Sequence, residues 1–277
     1  MSGRSAFTAA FDSMLFEVEF IDLPNVSNIE SLKSQISNLS AGQAGLKSNL
    51  ACFIFEPLVQ GASGMLMYEA ECLDQLMAHC RDEGILLIAD EVFTGFGRTG
   101  KAFACDHLSM QPDIMCFSKG LTGGTMELGL TTCSQQIFDA FLSDDRLKTL
   151  FHGHSYTANP VACSAGLASL DLFLEPATKE NIKRIEAKHR EFALKIKDHP
   201  RIRTTRQTGT ILAMEWEAGS DTSYFSSLRD KLYQYFLEAG IILRPLGNII
   251  YVLPPYCITD EQLNYIYSKI ENALDEL

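Results

Sequence analysis

Residues 85–100 read ILLIADEVFTGFGRTG, five apolar residues that run into two adjacent carboxylates, Asp90 and Glu91, and then into a glycine-rich loop. A short continuous apolar run closed by glycines predicts a strand buried on both faces of a parallel sheet. A carboxylate at the end of such a strand is poorly solvated, so it needs a cationic partner or it takes up a proton. Upstream, LACFIF (50–55) is a second run of this kind and ends on Glu56-Pro57. Between the two, EAECLDQLMAHCRDE (69–83) sets Cys72, Leu73, Leu76, Met77 and Cys80 at three-and-four spacing. That is the apolar stripe of a helix, which Gly84 stops. Downstream, DIMCF (113–117) and ELGLTT (127–132) predict two more strands. Strand, helix and strand in alternation make an α/β domain with a largely parallel sheet.

The rest of the chain extends this pattern in both directions. FEVEFI (16–21) alternates like a strand, and a helix is predicted around Ile29 to Leu39. Another helix spans 159–175 with Pro160 in its first turn. After Pro176 the character changes to a charged helix (178–197), strands at 201–206 and 210–216, and a helix at 222–239. Strands ILRP (242–245) and NIIYVLPP (248–255) follow, then a last helix from Asp260. This organisation predicts a large α/β domain over 1–175 and a small C-terminal α+β domain over 176–277.

With 277 residues, 46% of them hydrophobic, the chain can build a packed core. A net charge of -12 and a pI near 4.9 argue against a nucleic-acid partner, which requires clustered Lys and Arg. The eight cysteines form no C-x-x-C pair and read as reduced core residues. MSGRSAFTAAF holds no continuous apolar region, and no run approaches the roughly 20 residues that span a bilayer. The expectation is a soluble cytoplasmic protein with no membrane partner.

In open parallel sheets, ligands bind beyond the carboxyl ends of the strands, so Glu56, Asp90 with Glu91, and Ser118 with Lys119 are expected to converge on one crevice. Two readings of the paired acids stand here: one caps a helix or pairs with Arg98, or one meets a ligand. Lys119 likewise reads as a surface charge, an anion contact or a reactive amine. It stands after a short strand and before GLTGGT, where glycines let another molecule approach the backbone, but a lone Lys there is more often a surface charge or an anion contact. An Asp at one strand end and a Lys at the next is the arrangement expected for pyridoxal phosphate, with Lys as Schiff base and Asp as partner of the pyridinium nitrogen.

ADEVFTGFGRTGK, PDIMCFSKGLTGG and FHGHSYTANPVACSAGLASL together resemble the class III aminotransferases of the pyridoxal-phosphate fold type I. VQGASGMLMY, TGGTMELG and ILRPLGNIIYVLPPYCIT resemble more narrowly its biotin-synthesis branch, which moves an amino group from S-adenosylmethionine to 8-amino-7-oxononanoate. The resemblance implies Lys119 as the cofactor lysine and proton shuttle, and Asp90 as the ring-nitrogen partner. Val92 would pack on a ring face, unless it is an ordinary core valine. Gly153 would lie near substrate, and His154 and Ser155 at the cofactor phosphate of a neighbouring subunit, which implies a homodimer with shared sites. His152 and His154 as metal ligands is the rival reading. Arg244 would clamp a substrate carboxylate, with Tyr251 and Leu246 beside it, or be a plain surface arginine. Arg98 would tune substrate binding, and Glu56 would order a neighbouring basic group.

Family members are longer, and the resemblance starts partway through their large domain. The part without a counterpart carries the phosphate-cradling loop and the aromatic ring that stacks on the cofactor. This leads to the expectation that the chain binds cofactor weakly and tends to associate. Three functional readings remain at this level: the biotin-branch transaminase, another ω-aminotransferase using ornithine or 4-aminobutyrate, and an inactive fragment or dimerisation partner.

Overall fold

The computed structural model describes residues 8–15, 17–41, 49–218 and 227–277. Most of its nine strands and seven α-helices among these residues fall on two hydrophobic cores.

The first core is built on a four-stranded sheet in the order β1 (Cys52–Phe55), β4 (Leu86–Asp90), β5 (Ile114–Phe117), β6 (Leu130–Cys133). The first three strands run parallel, and β6 pairs antiparallel with β5. The fold is thus the α/β arrangement with a largely parallel sheet that the alternation predicts. Helix α1 (Ile29–Ser40) packs on α2 (Ala70–Asp82), and α2 buries the five stripe residues named above. Gly84 stops α2 with φ of 75°, a left-handed turn that glycine adopts without steric cost.

Burial along β4 alternates: Leu87 and Ala89 face the core, whereas Leu86, Ile88 and Asp90 are half-exposed. The expectation of strands buried on both faces is therefore corrected. α2 covers one face, and among the described residues nothing of comparable apolar surface covers the other. FEVEFI is also corrected: residues 17–21 form no strand, and Phe16 lies outside the described residues. Alternation alone does not make a strand when no neighbour supplies the ladder hydrogen bonds. A short hairpin, β2 (Val59–Gln60) with β3 (Leu66–Met67), follows β1 and was not foreseen.

Past the sheet come α3 (Gln135–Phe141) and α4 (Pro160–Leu174), the latter N-capped by the Asn159 side chain and opened by Pro160. Both leave apolar side chains in the open: Phe138 and Phe141 on α3, and Val161, Leu167, Leu172 and Leu174 on α4. Leu147, Leu150 and Phe151, between the two helices, are exposed as well.

The second core lies between helices α5 (Pro176–Ile196), α6 (Ser227–Glu238) and α7 (Asp260–Glu276) and an antiparallel sheet β7 (Ile202–Thr208), β8 (Ile211–Trp216), β9 (Ile249–Val252). Residues 222–226 of the predicted helix lie outside the described residues. ILRP is not a strand: 242–245 is irregular, and only Leu246 bridges back to Ile249. Pro245 lacks the N–H that a ladder needs. Strand β8 is a party wall. Leu212, Met214 and Trp216 face the helices, whereas Ile211 and Ala213 belong to the first core.

Candidate active site

Strands β1, β4 and β5 all point their carboxyl ends the same way, so Glu56, Asp90 and Lys119 come to one edge of the sheet. The two adjacent acids of the opening stretch divide there. Glu91 turns inward and is fully buried, accepting from Thr94 Oγ1 at 2.7 Å, Ala104 N at 3.1 Å and Cys105 N at 2.7 Å. These donors satisfy a buried carboxylate without a cation and tie the residues before the GFGRTG loop to the segment after it.

Asp90 turns to the half-open face. One oxygen accepts from Val92 N at 3.0 Å, and the other takes no hydrogen bond from the described residues. No described cation lies within ion-pair distance of it, which corrects the expectation that Asp90 needs a charged partner. On a half-open face, solvent does that work. Arg98 is occupied elsewhere: it donates to Pro254 O at 2.8 Å and lies 4.9 Å from the Tyr256 ring centre. Tyr256 in turn donates to Phe96 O at 2.7 Å.

Lys119 is the first residue of the short helical turn after β5, with φ of 43°, in the left-handed region that a side-chain-bearing residue enters at a cost of about 1–2 kcal/mol. The neighbouring Gly120 has no room for a Cβ, which would lie 2.9 Å from the Phe96 ring. Lys119 itself is exposed, and its Nζ sits 5.5 Å from the centre of the Phe93 ring, a cation–π contact. Phe93, which the sequence reading passed over, was signalled only by being an aromatic within EVFTGFG.

Glu56 completes the cluster by accepting from Gly61 N at 3.0 Å. Burial raises its pKa, the Gly61 N–H opposes this, and Asp90 and Lys119 lie near enough to shift it in opposite senses. Glu56 thus orders a backbone turn, and Lys119 is the basic group near enough to lower its pKa.

The other predicted residues lie apart from this cluster or at its margin. Val92 is half-buried beside Asp90. Gly153, His154 and Ser155 are all exposed, in a loop whose hydrogen bonds are local: His154 N donates to Thr157 Oγ1, and Tyr156 N to His154 Nδ1. No group of three metal-ligating side chains occurs among the described residues. Arg244 is exposed, Leu246 and Tyr251 are half-buried, and Tyr251 lies in register with Ala213 on the β9 face turned to the first core.

These residues suit pyridoxal phosphate. Lys119 offers an exposed amine on a strained backbone, and Asp90 offers an acceptor oxygen for a protonated ring nitrogen.

The family model for aminotransferase class-III matches residues 2–274. The adenosylmethionine-8-amino-7-oxononanoate aminotransferase of Synechococcus elongatus is 41% identical over 99% of this chain and 65% of its own. The Geobacter sulfurreducens protein of the same name is 37% identical over 91% of this chain and 56% of its own. Among solved structures, the Methanocaldococcus jannaschii protein of that name superposes with a TM-score of 0.87 at 31% identity, over 98% of this chain and 62% of that one. The Pseudomonas jessenii ω-transaminase in complex with PMP gives 0.79 at 27% identity, over 90% and 54%. The chain spans from 54% to 65% of the length of these relatives. No helix among the described residues is long and apolar enough to cross a membrane.

Proposed function

The chain belongs to the class III aminotransferases, and from that premise we propose that it serves transamination with pyridoxal phosphate, moving the amino group of S-adenosylmethionine to 8-amino-7-oxononanoate to give 7,8-diaminononanoate. The observation that carries this reading is Lys119, exposed and left-handed at a strand end, beside an Asp90 with one oxygen free. Bound pyridoxal phosphate supplies the electron sink that lets a proton leave the carbon bearing the amine.

Lys119 Nζ would hold the cofactor and would take and return that proton as general base and acid. Asp90 would accept a hydrogen bond from the protonated ring nitrogen. Val92 would border the ring, and Phe93 backs the Lys119 amine. Arg244, on the segment before β9, grips the substrate carboxylate in a planar fork, with Tyr251 and Leu246 beside it. Arg98, tethered to Pro254, tunes the substrate end of the site.

Gly153, His154 and Ser155 serve a second copy of the chain, Gly153 near its substrate and the other two at its cofactor phosphate. Support for such a homodimer is the set of apolar side chains left open on α3, α4 and the segment between them. Eight free cysteines suit the reducing cytoplasm.

The test is titration of the purified chain with pyridoxal phosphate, read as the visible absorbance of the lysine-bound cofactor, with Lys119→Ala in parallel. The band is expected in wild type and not in the variant. Equal spectra from both refute Lys119. An amine-donor screen then decides the branch, and turnover with 4-aminobutyrate but not S-adenosylmethionine refutes the biotin assignment.

A further inference from the structure

The outer strand of the small sheet sends one side chain across to the other core. Arg206, on β7, donates through Nε to Met65 O at 3.1 Å and through Nη2 to Gly64 O at 3.0 Å. Its Nη1 pairs with Glu215 Oε2 at 2.9 Å, and both side chains are more than four-fifths buried. All three nitrogens of the fork are therefore engaged. The register explains the reach: Arg206 pairs with Ala213, which faces the first core and pairs in turn with Tyr251.

What Arg206 grips is the turn between β2 and β3. Gly64 and Met65 are both left-handed there, with φ of 82° and 54°. A Cβ on Gly64 would lie 2.8 Å from Ile249 Cδ1, so the turn is seated against β9 as well. At its other end the same turn meets the Lys119 cluster. Gly61 N donates to Glu56 Oε2 at 3.0 Å, and a Cβ on Gly61 would lie 3.1 Å from the Phe93 ring. The turn is thus fixed at two points, one on the small sheet through Arg206 and Ile249 and one at the Lys119 cluster through Glu56 and Phe93.

We propose that Arg206 is a positioning residue for the Lys119 site. By holding the carbonyls of Gly64 and Met65 it keeps the Gly61 N–H on the Glu56 carboxylate, and so sets the place of that carboxylate and of the Phe93 ring. Its value to catalysis rests on the transaminase reading; its effect on the turn does not. The groups facing Glu56 are Asp90 from β4, Lys119 from the end of β5, the Gly61 N–H, and the Tyr68 hydroxyl, which donates to the Glu56 carbonyl at 2.5 Å.

The experiment follows the Glu56 side-chain carboxyl carbon by 13C spectroscopy of the labelled full chain across acid pH. In wild type this carbon is expected to titrate, and Glu56→Gln identifies its signal by removing it. In Arg206→Met the Gly61 N–H is released from the carboxylate, so the midpoint is expected to rise. A folded Arg206→Met chain with an unchanged midpoint overturns the proposal, even if its melting temperature falls, since lost packing alone does not move that titration. Should the Met variant fail to fold, Arg206→Lys decides. It keeps the charge for Glu215 but has one nitrogen in place of the planar fork whose three nitrogens span two carbonyls and a carboxylate, so the same rise is expected and an unchanged midpoint is again fatal. Failure to bind pyridoxal phosphate would sink the transaminase reading and leave this titration standing as a separate result.

Discussion

His189 is fully buried on α5 between two fixed partners, and acid should cost the fold a calculable amount there. Its Nε2 lies 3.1 Å from Thr210 O, an atom that only accepts, so Nε2 carries the proton. Its Nδ1, 2.7 Å from the Tyr267 hydroxyl, therefore accepts. Burial lowers the His189 pKa from 6.5 to about 4, against a smaller opposing pull from the Thr210 carbonyl. Above pH 6.5 neither the folded nor the unfolded chain is protonated at this residue, and no stability is lost. As pH falls from 6.5 to about 4, the unfolded chain gains a proton that the folded chain refuses, so stability declines across that window. From pH 7 to pH 5 the loss is about 2 kcal/mol. The perturbation to compare is His189→Gln, whose amide nitrogen can donate to Thr210 and whose oxygen can accept from Tyr267 without titrating. Urea unfolding of both proteins at pH 7 and pH 5 gives the difference of differences, in which all shared carboxylates cancel. Wild type should lose about 2 kcal/mol more than the variant. Equal losses would show that His189 is not held neutral and would refute the reasoning.

Three further outcomes follow from the same geometry. Glu91→Gln sets an amide NH2 against at least one of three N–H or O–H donors that now meet a buried carboxylate; about 3 kcal/mol should be lost in chemical denaturation, and a loss near zero would mean these bonds are not made. Gly209→Ala places a Cβ 2.3 Å from Thr99 C and 2.4 Å from Gly100 N at a φ of 52°, so the strain and the forced shift together should remove about 3 kcal/mol in thermal unfolding. Lys119→Gly should melt higher than Lys119→Ala, by the equivalent of about 1 kcal/mol, because only the alanine keeps the left-handed strain seen at that residue; equal melting temperatures would mean the strain is not there.

The strand ends were legible because an apolar run closed by a charged residue says where a strand stops and what waits there. Glu56, Asp90 and Lys119 converge as that logic requires. What the same letters could not say is how two neighbouring acids divide. Asp90 faces the open edge and Glu91 the interior because successive side chains on an extended backbone alternate, and which of the two meets the buried donors of Ala104 and Cys105 is decided thirteen and fourteen residues away. Distance along the chain hid the rest. Arg206 grips carbonyls 141 and 142 residues upstream, and Thr210 N and Oγ1 both donate to Arg98 O across 112 residues. No local periodicity carries such pairs. FEVEFI fails for the opposite reason: its local pattern is sound, but it has no neighbouring strand among the described residues.

The two faces of β8 bear on how the molecule comes apart. Ile211 and Ala213 pack in one core, and Leu212, Met214 and Trp216 in the other, so neither core can be opened while leaving that strand's backbone intact for its neighbour. A break in the chain's path near residue 175 therefore need not be a break in its melting. The two halves are expected to unfold in one cooperative transition, with a cavity cut on either side of β8 lowering the melting temperature of both.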